Sequence, residues 1–376
     1  MKAYRVPILL FLCSLGITLL ALAQGPLNPG SETVARPRKG NASTSAPEPK
    51  EEKIPSKFGK KGDLPADVPT FKSDVVTVSL DVAVLDNKGN FIPNIPKGNF
   101  RVLEDNVPQQ VSTFSRGEAP MTICLVIEFS GRFQQYYTEP WYQTLTAAYG
   151  FLQTLHPEDY VAIIAYDIRP EILSDFSTNR QESYEAMRRL TFPGFSEANL
   201  FDALVDTAQR MQDVEGRKAI VVMSSGVDTF SKLNYDKTRR ALQDAGVPIY
   251  AIGLMQTMRE FADAAGGMDG TSRIEFLQAD NQMRTFAKET GGLSFFPRFY
   301  GEFPSIFRSI SEAMRNEYVL TYNPTNQAKD GKVRKIKVDL VNPATNEPLR
   351  VVDEKGKPIK YQILTKSGYT APHEVE

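Results

Sequence analysis

The pattern of apolar and polar positions changes sharply at Phe71. From there DVVTVSLDVAVLD (Asp74 to Asp86) alternates the two classes with many valines, the period of a half-buried strand. Asn87-Lys88-Gly89-Asn90 reads as a turn. FIPNIPKGNFRVLEDNVPQQVSTFSR then carries further short strands, with Asp105-Asn106 as the hairpin tip joining FRVLE to QQVSTFS. About 50 residues of this kind make a small β module, too small to close its own core well.

From Met121 the rhythm becomes strand, helix, strand. MTICLVIEF is a continuous apolar run, as expected of a central strand covered on both faces. A helix follows at Trp141 to Leu155, then the strand YVAIIAYD (Tyr160 to Asp167), then EILSDF. Helices fit Arg180 to Leu190, Leu200 to Gln212 and Tyr235 to Ala245, interleaved with buried strands KAIVVMSS (Lys218 to Ser225) and VPIYAIGL (Val247 to Leu254). Met255 to about Gly270 shows no period and predicts a loop or mobile insertion. A helix near Asn281 to Glu289 ends at the glycine pair Gly291-Gly292, LSFF closes the sheet, and PSIFRSISEAMRNE is a last amphipathic helix. This alternation predicts a doubly wound, mostly parallel α/β sheet.

YVLTYNP, KVRKIKVDLV and YQILTK are strand-like again. Two β segments flanking one α/β unit suggest that the N- and C-terminal strands pack into one sandwich, which solves the size problem of the first module. The expected boundaries are a β module at 71–118, the α/β domain at 119–316 and a C-terminal β segment with tail at 317–376. KVRKIKV (Lys332 to Val338) predicts a strand with one basic face, guarding an edge against aggregation.

The segment before Phe71 reads differently. Lys2 and Arg5 precede an uncharged apolar run from Val6 to Leu22 that ends in Ala21-Leu22-Ala23, the form of a secretory signal peptide at 1–23. A retained membrane anchor is the alternative. A run of about 17 residues is at the short end for a spanning helix and favours cleavage. Residues 24–70, with PEPKEEKIPSKFGKKGDLP, hold too little apolar area to offset ordering entropy and predict a flexible linker. Export, with no transmembrane segment after cleavage, places the chain in the periplasm, cell envelope or extracellular space.

Composition narrows the chemistry. The net charge of −1 comes from 44 basic and 45 acidic residues interspersed along the chain, which argues against a nucleic-acid partner. Two histidines, His156 and His373, make a His-based triad or zinc cluster improbable. Beyond the signal segment Cys124 is the one cysteine, set in an apolar run as a small buried hydrophobe. No phosphate-cradling glycine loop, HExxH or Ser-His pairing emerges.

The order of the β module with VAVLDNKGNFIPNIPKGNFRVLEDNVPQQVSTFS, then LVIEFSG, LFDAL, IVVMSSGVDT, ETGG, NEYVLTYNP and KSGYTAP resembles the acidobacterial von Willebrand factor A-related domain proteins, over about Phe71 to Pro372. The resemblance implies an exported, Rossmann-like α/β domain that binds other proteins. It also implies a metal-ion-dependent adhesion site, where hard oxygens hold Mg²⁺ or Mn²⁺ beside a partner's carboxylate. That site's first loop, Asp-x-Ser-x-Ser, corresponds to Glu128-Phe129-Ser130-Gly131-Arg132. Its threonine position falls on Ala198, with Asn199 beside it, and its later aspartate on Ser225, with Asp228 three residues on. The acid is longer by a methylene, and a guanidinium replaces one hydroxyl. Such a site is degenerate and predicts no bound metal. Arg132 either folds back onto Glu128 in place of the ion or points into solvent.

Tyr136 and Tyr137 cannot both face a helix's core, so one is expected outside, and Trp141 is expected to pack. Asp206 and Arg210 form an ordinary i,i+4 pair. The expected function is protein binding or adhesion through the top loops, to an unidentified protein and without enzyme activity. A structural role in the envelope through the sandwich is the alternative, and a hydrolase the remote one.

Overall fold

In the computed structural model, residues 76–117, 120–131, 138–191, 195–256, 259–260, 270–352 and 356–373 are described. The expected signal peptide and linker lie outside them. The described chain opens with β1 (Val78–Asp86), β2 (Phe100–Glu104), β3 (Val107–Gln109) and β4 (Val111–Gly117). The α/β part runs β5 (Met121–Glu128), α1 (Thr138–Gln153), β6 (Tyr160–Tyr166), β7 (Pro170–Ser177), α2 (Arg180–Arg188), α3 (Leu200–Gln212) and β8 (Arg217–Ser224). It continues through α4 (Tyr235–Ala245), β9 (Ile249–Gly253), α5 (Gly270–Thr290), β10 (Ser294–Phe295) and α6 (Phe303–Arg315). The chain then returns to strands: β11 (Glu317–Tyr322), β12 (Val333–Leu340), β13 (Val351–Val352), β14 (Pro358–Ile359), β15 (Tyr361–Leu364) and β16 (Gly368–Thr370).

The α/β part is built on a six-stranded sheet of order β10-β9-β8-β5-β6-β7. All neighbours are parallel except β7, which returns antiparallel to β6. Every residue of β5 is buried, because both faces of the sheet are covered. Ile123, Leu125 and Ile127 pack with α1, α2 and α6 on one side. Cys124 and Val126 pack with α3, α4 and α5 on the other. From β5 the chain moves to β6 and β7 on one side, then crosses back to β8, β9 and β10. The reversal falls between β5 and β8, and the crevice outside the carboxyl ends of such strands is where open α/β sheets bind ligands.

The flanking strands interleave. One four-stranded sheet has the order β15-β1-β11-β4 and the other β16-β12-β2-β3, so each mixes strands from before and after the α/β part. Val78, Leu80, Val82, Phe100 and Val102 share one core with Tyr318, Leu320, Tyr322, Ile336 and Val338. Neither flank could bury those faces alone. The hairpin tip is formed by Asp105 (φ 48°) and Asn106 (φ 68°), the positive pair of a type I′ turn.

Three expectations are corrected. QQVSTFS is not one strand: β3 pairs with β2, whereas β4 pairs with β11 in the other sheet, so the chain changes sheets near Gln110. β12 is interior rather than an edge, because β16 covers Val333 to Lys335 and β2 covers Ile336 to Leu340. Its alternation also places Arg334 inside, where it pairs with Asp330, and leaves Val333 exposed. Finally, α5 starts at Gly270 rather than Asn281, and residues 255–256 and 259–260 before it are helical. Arg259 there forms a buried pair with Asp280 at 2.6 Å. Residues 257–258 and 261–269 of the expected loop lie outside the described residues.

Candidate functional site

The crevice is centred on the last residue of β5. Glu128 is paired with Tyr166 of β6, and Ile127 with Met223 of β8, so Ser224 is Glu128's neighbour on the other side. By strand alternation all three side chains fall on the α3 face of the sheet, at its carboxyl edge. Glu128 is 2% exposed, and hydroxyl and backbone donors surround its carboxylate. Ser130 Oγ donates to Oε1 at 2.7 Å. Ser224 Oγ and the Ser225 backbone N–H donate to Oε2 at 2.9 and 2.7 Å, and the Tyr166 hydroxyl lies 3.4 Å from the same oxygen. Tyr166 OH sits 2.7 Å from Ser224 Oγ, which also accepts the Gly226 N–H. Because Ser224 gives its own proton to Glu128, the tyrosine is the donor in that contact. Burial and the nearby Glu128 charge push the Tyr166 hydroxyl well above the ordinary tyrosine range, so it stays protonated as a donor.

The other expected positions form a second cluster at the start of α3. Ala198 is buried. Its N–H donates to Thr229 Oγ1, and its carbonyl accepts from the N–H groups of Thr229 and Phe230. Asn199 stands at the N-cap but spends its amide on the Ile168 carbonyl, and its Oδ1 is buried without a hydrogen-bond partner among the described residues. Asp228 supplies the cap instead, accepting from Phe201 N–H and Ser231 Oγ. Burial raises the Asp228 carboxyl, partly offset by those bonds. Asp202 in turn accepts the N–H groups of Lys232 and Leu233. The two clusters are joined by backbone, through Gly131 N–H to the Phe195 carbonyl and Asn199 N–H to the Asp167 carbonyl.

Of the residues singled out from sequence, then, Glu128, Ser130 and Ser225 meet, the last through its backbone. Ala198, Asn199 and Asp228 serve the neighbouring turn. Arg132, Tyr136 and Tyr137 lie outside the described residues, as does the side chain of Trp141. Sequence reasoning missed Ser224 and Tyr166. Their signal was positional: each is the polar end of an apolar strand, in register with Glu128.

The donor set does not suit a divalent cation. Mg²⁺ or Mn²⁺ needs converging lone pairs, whereas both Glu128 oxygens are engaged by protons, one of them on a backbone nitrogen that cannot turn away. Ala198 offers a methyl group where a hydroxyl is needed. Among the described residues no group of three or more His, Cys, Asp and Glu side chains gathers to hold a metal.

Residues 122–295 match the von Willebrand factor type A domain. No curated protein matches the chain. Among solved structures, proximal thread matrix protein 1 from the mussel byssus is similar at 11% identity over 56% of this chain and 51% of its own, with a TM-score of 0.42. The vWF domain of the type V pili tip protein Mfa5 from Porphyromonas gingivalis is similar at 13% identity over 53% of this chain and 97% of its own, with a TM-score of 0.40. A von Willebrand factor type A protein from Catenulispora acidiphila is similar at 11% identity over 79% and 75%, with a TM-score of 0.39. The chain spans about half the length of the mussel protein.

Proposed function

We propose that the von Willebrand factor type A domain at residues 122–295 binds a protein partner through the loops above β5, β6 and β8, without a metal ion and without catalysing a reaction. The reading rests on the closed Glu128 network. Hydroxyl and backbone donors occupy the carboxylate where an adhesion site of this family would present it to an ion. The ends of β5 and β8 with Ser130 and Ser225 are thereby held in place by the protein alone, which favours a preformed edge rather than a metal-gated one. The exported setting belongs to the same proposal and is supported by the apolar, positively preceded N-terminal segment. Among the described residues no helix is long and apolar enough to cross a membrane.

Titration calorimetry with Mg²⁺ and Mn²⁺ tests the metal-free reading. No saturable heat is expected, and micromolar binding abolished by Glu128→Gln would overturn it. Capture of a partner from envelope extracts should be indifferent to chelator and weakened by Arg132→Ala or Tyr136→Ala. Capture that survives both substitutions points instead to the sandwich, and so to a structural role in the envelope.

A further inference from the structure

We infer that the buried Arg259–Asp280 pair is a latch that keeps the Glu128 network ordered through α5, and so regulates the edge described above. The pair lies at the carboxyl end of β9, one strand beyond the crevice. Arg259, a few residues after β9, reaches Asp280 of α5 at 2.6 Å, and the two residues are 7% and 3% exposed. Arg259 also donates to the Gln256 side chain, and Gln256 to Glu260, so both are drawn into the same contact.

Two routes lead from the latch to Glu128. The first runs through α5. Ala279 and Met283, both buried, stand close behind the turn after β8. A Cβ added to Gly226 (φ +78°) would lie 2.6 Å from Met283 Sδ and 3.2 Å from the Ala279 carbonyl oxygen. Gly226 gives its N–H to Ser224 Oγ at 2.8 Å, and Ser224 gives its own proton to Glu128. Helix α5 thus backs the turn that aims the Ser225 N–H at the carboxylate. The second route is backbone. Asp280 Oδ1 stands beside Gly253 at the end of β9, where an added Cβ would lie 3.5 Å from it. The next residue, Leu254, gives its N–H to the Ser224 carbonyl at 2.9 Å.

An ordinary structural tie is the simpler explanation, and the pair suits that task poorly. Arg259 Nη1 and Asp280 Oδ1 are both buried without a hydrogen-bond partner among the described residues. A buried ion pair left with a donor and an acceptor over stabilises less than apolar side chains of similar volume would. Such a contact is readily released, and an element with two discrete arrangements is what carries coupling between sites. In the latched arrangement α5 and the turn after β8 leave no room for a methyl group between them. A shift of α5 on release is therefore felt at Ser224 and Ser225.

Amide hydrogen exchange in the full chain tests the latch and needs no partner. Only the consequence for partner affinity rests on the protein-binding reading, so the two can fail separately. Arg259→Gln combined with Asp280→Asn removes both charges at once and leaves neither buried alone. Exchange at Ser225 and Gly226 is expected to quicken roughly tenfold, while Leu80 and Leu320 in the sandwich core keep their rates. Arg259→Lys, which keeps the charge and loses the planar fork, is expected to quicken the same two amides to a smaller degree. It carries the comparison where the double variant fails to fold. Unchanged exchange at Ser225 and Gly226 in a folded variant, or equal quickening in the sandwich, overturns the latch.

Discussion

At the scale of single residues, Glu128 decides the character of the top face. A buried carboxylate is tolerated only when its lone pairs are met, and here they are met by Ser130, Ser224 and Ser225, with the Tyr166 hydroxyl bonded to Ser224 beside them. Glu128→Ala removes the shared acceptor and strands the Ser225 N–H and two hydroxyls. A loss of at least about 2 kcal/mol in stability is expected, read as a shift in the denaturation midpoint. The Ser130 contact was legible from two positions in one loop. The contacts of Ser224 and Tyr166 were not, because they depend on the register of three strands that meet only in the folded sheet.

At the scale of elements, legibility followed burial. β5, β8 and β9 are covered on both faces and read as unbroken apolar runs. α3 and α4 were found at their observed ends because their apolar stripes are clean. The start of α5 was hidden, since Gly270, Thr271 and Ser272 are poor helix formers and Ile274 and Leu277 stay exposed. The interior place of β12 was hidden as well, because β16, its cover on one side, lies more than thirty residues along the chain. Helix ends carry a prediction of their own. Asp228, not Asn199, accepts from the first turn of α3. Asp228→Ala should therefore cost about 1 kcal/mol, measured by thermal denaturation, and speed amide exchange in the first turn of α3.

At the scale of the whole molecule, the α/β part and the sandwich are joined by a buried polar contact as well as by chain. Arg217, at the start of β8, reaches Glu317 on β11 at 3.4 Å. Burial pushes the Glu317 carboxyl up to about 8 from its ordinary 4.5; the charge of Asp81 adds to this and Arg217 opposes it. The folded state thus holds a proton that the unfolded chain releases earlier. Its contribution to stability is complete below pH 4.5 and is lost as pH rises toward about 8. Glu317→Gln should flatten the stability profile across that window, a comparison made by denaturant titration at successive pH values.

The same junction has a mechanical meaning. Gly117 and Glu317, the residues that lead into and out of the α/β part, face each other across one ladder between β4 and β11. The two ends of the described chain also meet the same stretch of the sandwich, Val76 through Gln327 and His373 through Asp330. A pull applied to those ends is carried by the sandwich, and the α/β part stays off the load path until β4 and β11 separate. Under tension the chain should lengthen in two steps, read by single-molecule force spectroscopy, with the crevice above β5 keeping its shape through the first.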